Sequence, residues 1–387
     1  MMDYEKQMAH SAVALRPSGI RQFFSLAAEK KDVISLGVGE PDFKTPWAIR
    51  KAAIDSLDRG RTWYTANAGL AELQGEIVAY LRRRFGLEYA PEEVLVTVGG
   101  SEAIDLSIRT FVNPGDEVLI PQPSFVCYEP IVQLTGGVAV PIVTREEDEF
   151  RLTAKALRAA ITPKTKALVF PFPNNPTGGV MRREDLEAVA AVLRDTELMV
   201  FADEIYAELT YGEKHISIAS LEGMQERTVL ISGFSKTFAM TGWRLGYLAA
   251  PKEVTDVMCK VHQYAIMCAP TTSQYAAIEA LRSCEEAVGE MVGEYNLRRR
   301  LVVSRLNEMG LHCFNPQGAF YVFPSIQSTG LTSQQFCERL LYEKNVAVVP
   351  GDAFGACGEG FVRISYSYSV EHLREALGRI EAFIKGL

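Results

Sequence analysis

The stretch that decides the fold is Ser232-Gly233-Phe234-Ser235-Lys236-Thr237-Phe238-Ala239-Met240-Thr241-Gly242-Trp243-Arg244-Leu245-Gly246. It continues from an apolar run at 229–232 that reads as a buried strand. It sets a lysine just past that strand and an arginine eight residues later, in a Gly-Trp-Arg-Leu-Gly setting. A lysine after a strand is by itself usually a solvated loop residue. Two further segments give this one a different meaning. Asn174-Asn175-Pro176-Thr177-Gly178 follows the strand-like run 167–172, and Asp203-Glu204-Ile205-Tyr206 closes the run 199–202. Three polar clusters at the ends of successive parallel strands converge on one edge of a sheet, and open α/β sheets bind their ligands at that carboxyl edge.

Outward from there, the chain from about residue 46 alternates two periodicities. Strand-like runs at 93–98, 117–121 and 138–143 precede the three already named. Helical patterns cover 70–85, 101–112 and 184–193. Thr45-Pro46 reads as an N-cap followed by proline at the first helical position, opening a helix that ends near Gly60. Asn113-Pro114-Gly115-Asp116 is a turn by composition. Short apolar strands between amphipathic helices predict an α/β fold, with a mostly parallel sheet covered on both faces. Past about residue 270 the pattern changes. One long helix is predicted over 275–306, with Arg298-Arg299-Arg300 on a solvated face. Shorter segments follow at 318–324, 346–349 and 361–366, with a helix near 333–343 and a last one from Glu371. This predicts a smaller α+β domain. The expected division is an N-terminal segment 1–45 belonging to the small domain, a large domain 46–284 and a small C-terminal domain 285–387.

Composition narrows the function classes. The chain has 387 residues, enough for two domains or one large one. A formal net charge of −8 argues against nonspecific nucleic-acid binding, which needs a cationic surface to displace counterions. Seven cysteines contain no CxxC pair, and five histidines show no HExxH or paired spacing. The expectation is therefore reduced thiols, no disulfide framework and no metal site. The N-terminus lacks an apolar leader core and no run of 18 apolar residues occurs, so a soluble, cytoplasmic protein without a membrane partner is expected.

Taken together, these motifs resemble the class I/II, fold-type I pyridoxal-phosphate aminotransferases. The resemblance runs from Ile34-Ser35-Leu36-Gly37-Val38-Gly39-Glu40-Pro41-Asp42-Phe43 to Val362-Arg363-Ile364-Ser365-Tyr366. Within that group the chain is similar to the bacterial and archaeal branch of aromatic, aspartate-like and N-acetyl-diaminopimelate aminotransferases. The resemblance implies a large domain with a mostly parallel seven-stranded sheet between helices, pyridoxal 5′-phosphate as cofactor, amino-acid and 2-oxo-acid substrates, and a homodimer with shared active sites.

It also implies residue roles. Lys236 corresponds to the lysine that forms the internal aldimine and later moves a proton. Asp203 corresponds to the carboxylate beside the pyridine nitrogen, where a buried anion keeps that nitrogen protonated. Tyr206 and Asn175 match groups bonded to the ring 3′-oxygen, and Phe125 matches an aromatic stacked on the ring. Gly100, Ser101 and Glu102 match backbone donors to the phosphate at a helix start. Arg244 matches the phosphate-pairing arginine, with Ser235 as a hydroxyl contact. Many relatives carry serine three residues before the lysine, where this chain has Gly233, which leaves one contact to Ser232 or water. Tyr64 matches a tyrosine reaching the neighbouring subunit's phosphate. Arg363 matches the arginine that clamps the substrate carboxylate in two parallel bonds, with Gly39 and Asn175 completing the clamp. Ser18-Gly19-Ile20-Arg21 resembles a mobile segment that closes over substrate.

For the substrate side chain, aspartate-preferring members use a lysine where this chain has Ser101, which weakens an aspartate preference. Phe24, Phe125 and Phe320-Tyr321 suit aromatic or long side chains. The expected activity is a broad, ping-pong aminotransferase using 2-oxoglutarate as acceptor. Two alternatives stand beside it: a C–S β-lyase on the same scaffold, and a non-catalytic aminotransferase-like effector domain. The latter follows a basic DNA-binding domain in certain regulators, and no helix-turn-helix pattern precedes residue 46 here.

Overall fold

The computed structural model describes residues 2, 4–15, 17, 30 and 32–387. Its centre is a seven-stranded sheet built from β2 (Val94–Thr97), β3 (Glu117–Gln122), β4 (Val138–Val143), β5 (Thr165–Phe170), β6 (Met199–Asp203), β7 (Thr228–Gly233) and β8 (Gly246–Ala249), preceded in the chain by the short β1 (Ile34–Ser35). The order across the sheet is β2-β8-β7-β6-β5-β3-β4. The strands from β4 to β7 pair in parallel, and β8 runs against both its neighbours, β7 and β2. Alternate residues feed two opposite cores, as a sheet covered on both faces requires. Val94, Val96, Leu230 and Ala249 join one cluster, while Leu95, Val229, Ile231 and Leu248 join the other.

The reversed strand β8 is the one strand of the seven-stranded sheet that the sequence pattern missed; the short β1, paired with residues 346–347, was missed as well. Four residues beginning in glycine, Gly246-Tyr247-Leu248-Ala249, carry little strand signal of their own. Their place comes from pairing, with Gly246 registered between Thr97 and Gly233. Reversal puts the start of β8 at the sheet edge where its neighbours end, and Arg244 just before it therefore arrives at the carboxyl edge.

Smaller sheets surround the C-terminal core. The strands are β9 (Tyr321–Val322), β10 (Val346–Ala347), β11 (Val349–Pro350) and β12 (Val362–Ser365). β1 pairs in parallel with β10, while β11, β12 and β9 form an antiparallel sheet. The run 346–349, expected as one strand, is thus divided at Val348 between two sheets. The single helix expected over 275–306 is two, Thr271–Ser283 and Glu285–Glu308, broken at Cys284. The acidic pair Glu285-Glu286 at the start of the second helix suits its positive end.

Two further corrections concern polar residues. Pro46 is itself the cap of the Trp47–Asp58 helix, and the Thr45 hydroxyl donates to the Ala239 carbonyl at 2.6 Å instead of capping. Of the three arginines expected in water, only Arg300 is exposed. Arg298 is buried against Asp42 at 2.7 Å with its guanidinium over the Phe43 ring. Arg299 is buried against Asn296, Asn315 and the Pro316 carbonyl, over the Tyr211 ring. Each buried guanidinium is met by polar partners and a ring face, although Arg298 Nε itself has no hydrogen-bond partner. All seven cysteines are free. No helix among the described residues is long and apolar enough to cross a membrane.

Candidate active site

At the carboxyl edge of the large sheet lies a cavity of about 630 Å³. Five strands end on it: β2 delivers Gly100 and Ser101, β3 delivers Phe125 and Tyr128, β5 delivers Asn175, β6 ends in Asp203, and β7 leads to Ser235 and Lys236. Its far wall comes from the other half of the molecule, through Gly37–Gly39 after β1, Tyr321 on β9 and Arg363 on β12.

Lys236 sits at the middle. Its amine donates to the Gly39 carbonyl at 2.6 Å. Burial brings its pKa down from the ordinary lysine value to about 8; Glu40 opposes this, Arg363 and Arg244 reinforce it, and Asp203 opposes it. A neutral amine, able to act as nucleophile or base, is thus accessible near neutral pH. On the floor, the Asp203 carboxylate accepts the Tyr128 hydroxyl at 2.7 Å and the Ile205 amide at 3.2 Å. Burial nevertheless raises its pKa above the usual carboxylate value. Burial also pushes the Tyr206 hydroxyl well up, and that hydroxyl pairs with Tyr321 at 3.0 Å.

One end of the cavity is a buried cation. Arg363 is 3 % exposed, donates to Asn175 Oδ1 at 2.8 Å and to the Gly37 carbonyl, and lies between the Tyr321 and Phe354 rings. Its Nε is buried without a partner. A fully desolvated guanidinium with a spare donor suits an incoming carboxylate. Gly39 belongs to this end by steric necessity, because a side chain there would collide with the Tyr321 hydroxyl.

The opposite end is a backbone cradle. The Gly100–Phe111 helix starts here, and Gly99 before it holds φ 78°, a left-handed conformation that favours glycine. A Cβ on Gly246 would fall 2.6 Å from Gly99, and one on Gly233 would fall 2.9 Å from the Gly246 Cα. Three backbones are therefore in direct contact, and Gly233 leaves no room for a hydroxyl-bearing side chain. Ser232, one of the two candidates to replace that contact, is not among the residues lining the cavity; its hydroxyl lies 3.5 Å from the Glu204 carbonyl. Arg244 overhangs the cradle, exposed, with its guanidinium against Gly99 and one bond to the Thr241 carbonyl at 3.0 Å. Free helix N–H groups beside a guanidinium and the nearby Ser235 match a phosphate.

Most sequence-predicted residues therefore meet in one place: Gly39, Gly100, Ser101, Phe125, Asn175, Asp203, Tyr206, Ser235, Lys236, Arg244 and Arg363 all line the cavity. Glu102 does not; its carboxylate turns inward to Val98 and His262. Tyr64 is 77 % exposed and outside the lining of this chain's own cavity. Ile20 and Phe24 lie outside the described residues. Phe320 is buried behind the wall, with Tyr321 in front. The reading of the sequence missed Tyr128, which holds Asp203. Its position in the helix that follows Phe125, with a tyrosine's need for a buried partner, was the available signal.

The family model for aminotransferase class I and II matches residues 31–380. The aspartate aminotransferase of Pyrococcus abyssi is 50% identical over 375 residues, covering 96% of each chain. The aromatic-amino-acid aminotransferase 2 of Thermococcus litoralis is 48% identical over 375 residues, again 96% of each. The crystal structure of the aromatic aminotransferase from Pyrococcus horikoshii OT3 aligns with a TM-score of 0.91 at 48% identity, covering 95% of this chain and 99% of that one. The chain belongs to the class I and II aminotransferases, enzymes of the fold-type I α/β architecture. Members of this family use pyridoxal phosphate and act on amino and keto acids.

Proposed function

We propose that this aminotransferase passes the amino group of a broad range of L-amino acids, aromatic or acyl-diaminopimelate-like, to 2-oxoglutarate in ping-pong order, with pyridoxal 5′-phosphate held on Lys236. One observation carries the reading: a buried amine with a pKa of about 8 lies between an anion cradle and a buried guanidinium with an unpartnered donor. The residues fit the cofactor at both ends. The Gly100, Ser101 and Glu102 amides, Ser235 and Arg244 would hold its phosphate, Asp203 its ring nitrogen, Tyr206 and Asn175 its 3′-oxygen, and Phe125 its ring face.

When bound, the cofactor supplies an electron sink for cleavage at the substrate Cα. The chain's own residues do the rest. Arg363 grips the substrate carboxylate, with Asn175 and the Gly39 backbone beside it, and so fixes which Cα bond faces Lys236. The Lys236 amine, neutral near its lowered pKa, takes and returns the proton at Cα. The Tyr128 hydroxyl keeps the Asp203 carboxylate in place on the cavity floor. Ser101, exposed at the mouth of the cavity, offers no charge to an acidic side chain, which favours aromatic or long donors over aspartate. The same reading takes 46–284 as the large cofactor-binding domain, with 1–45 and 285–387 forming the small one. It pairs two copies so that the exposed Tyr64 of each completes the other's phosphate site.

A donor panel tests this directly. The holoenzyme is mixed with one amino acid at a time, without acceptor, and the visible band of the lysine-bound cofactor is followed. Aromatic amino acids and acyl-diaminopimelate should bleach it, and 2-oxoglutarate should restore it. Bleaching by aspartate alone would overturn the donor assignment. Release of ammonia and keto acid without acceptor would favour the β-lyase reading.

A further inference from the structure

His262 lies outside every role assigned so far. It is carried by the Lys252–Ala265 helix, which packs on the Gly100–Phe111 helix, and its side chain is fully buried. Its Nδ1 lies 2.7 Å from Glu102 Oε1, while its Nε2 is buried with no partner. Glu102 stands in the first turn of the helix whose start forms the anion cradle, and its other oxygen accepts the Val98 amide.

Two physical points make this pairing meaningful. A carboxylate in the first turn of a helix interacts with the same positive end that the cradle offers to an anion. Left unpaired, the Glu102 charge would oppose a phosphate a turn away. A buried imidazole with one nitrogen unsatisfied is also costly, and an apolar residue would fill the space without that cost. What His262 supplies in exchange is the Nδ1–H donated to Glu102.

We propose that His262 is a positioning residue for the phosphate end of the site: it ties the Glu102 carboxylate inward and offsets its charge, leaving the helix start free to bind the cofactor's phosphate. The inference rests on the cofactor reading above and concerns the phosphate group alone. It therefore predicts a split between pyridoxal 5′-phosphate and pyridoxal, which share a ring but not the phosphate.

The test measures dissociation constants of both compounds for the cofactor-free full chain. His262→Leu should weaken pyridoxal 5′-phosphate by about two- to thirtyfold, the range of helix-end charge effects, and leave pyridoxal unchanged. His262→Gln, which keeps a donor, should hold most of the phosphate affinity. Glu102→Gln in the His262→Leu background should restore it, because the opposing charge is gone. Equal weakening of both compounds, or of neither, would overturn the proposal. Should His262→Leu fail to fold, Glu102→Gln alone decides: it should bind the phosphate compound at least as tightly as the wild type, and a selective loss would show the carboxylate to be needed rather than held back. A wild-type chain that binds neither compound would refute the cofactor reading itself, independently of His262.

Discussion

Arg363 and Arg244 look into the same cavity and are held in opposite ways. Arg363 is buried, bonded to Asn175 and Gly37 and sandwiched by Tyr321 and Phe354. Arg244 is exposed and has one bond, to Thr241, in its own loop. A desolvated guanidinium fixed before the ligand arrives gives directional, strong recognition, whereas a solvated one gives a screened attraction that its neighbours must complete. Under the proposed function, the buried end would orient the substrate and the solvated end would retain the cofactor.

Three substitutions sharpen or break that contrast. Lys236, between the two ends, gives the largest effect: Lys236→Met should lower transamination by at least about 10²- to 10⁴-fold. It should also stabilise the cofactor-free chain. The folded amine has a pKa of about 8, below its unfolded value of about 10.4, so the unfolded chain holds the proton more tightly. The resulting penalty is complete below pH 8 and fades as pH rises toward about 10.4. The variant should therefore gain up to about 3 kcal/mol in urea unfolding at pH 7 and nothing near pH 10.5. Arg363→Leu comes next, with a loss of about 2–5 kcal/mol in transition-state binding, read as kcat/KM for amino acids. The cofactor's dissociation constant should stay put; a matching loss of cofactor would erase the division between the two ends. Arg244→Gln should be mildest, weakening the cofactor about tenfold, roughly 1.4 kcal/mol. The gap from wild type should narrow in high salt, and a salt-independent loss would mean that Arg244 acts as a buried group.

The sequence showed which residues belong to the cavity better than it showed how they are held. Strand ends could be read because each is an apolar run stopped by polar residues: 138–143 matches β4 at both ends. Asn175, Asp203 and Lys236 followed from those ends. The reversed strand β8 could not be read, because Gly246–Ala249 is a strand only through its two neighbours. Arg298 and Arg299 were misread because an arginine's charge says nothing about whether a carboxylate or carbonyl waits for it across the fold, as Asp42 and Pro316 do. His262 and Tyr128 were missed for the same reason: their partners, Glu102 and Asp203, are 160 and 75 residues away in the chain.

The pairing of β1 with β10 also has a consequence for synthesis. Gly37 and Gly39 are among the first described residues to leave the ribosome, yet the strand before them pairs only with residues 346–347. Arg363 meets the Gly37 carbonyl across 326 positions of chain. The anion cradle, Lys236 and the His262 that ties Glu102 inward, by contrast, all lie within the first 262 positions. On the proposed function, the residues that would hold the cofactor's phosphate are therefore made well before Arg363, which would hold the substrate carboxylate.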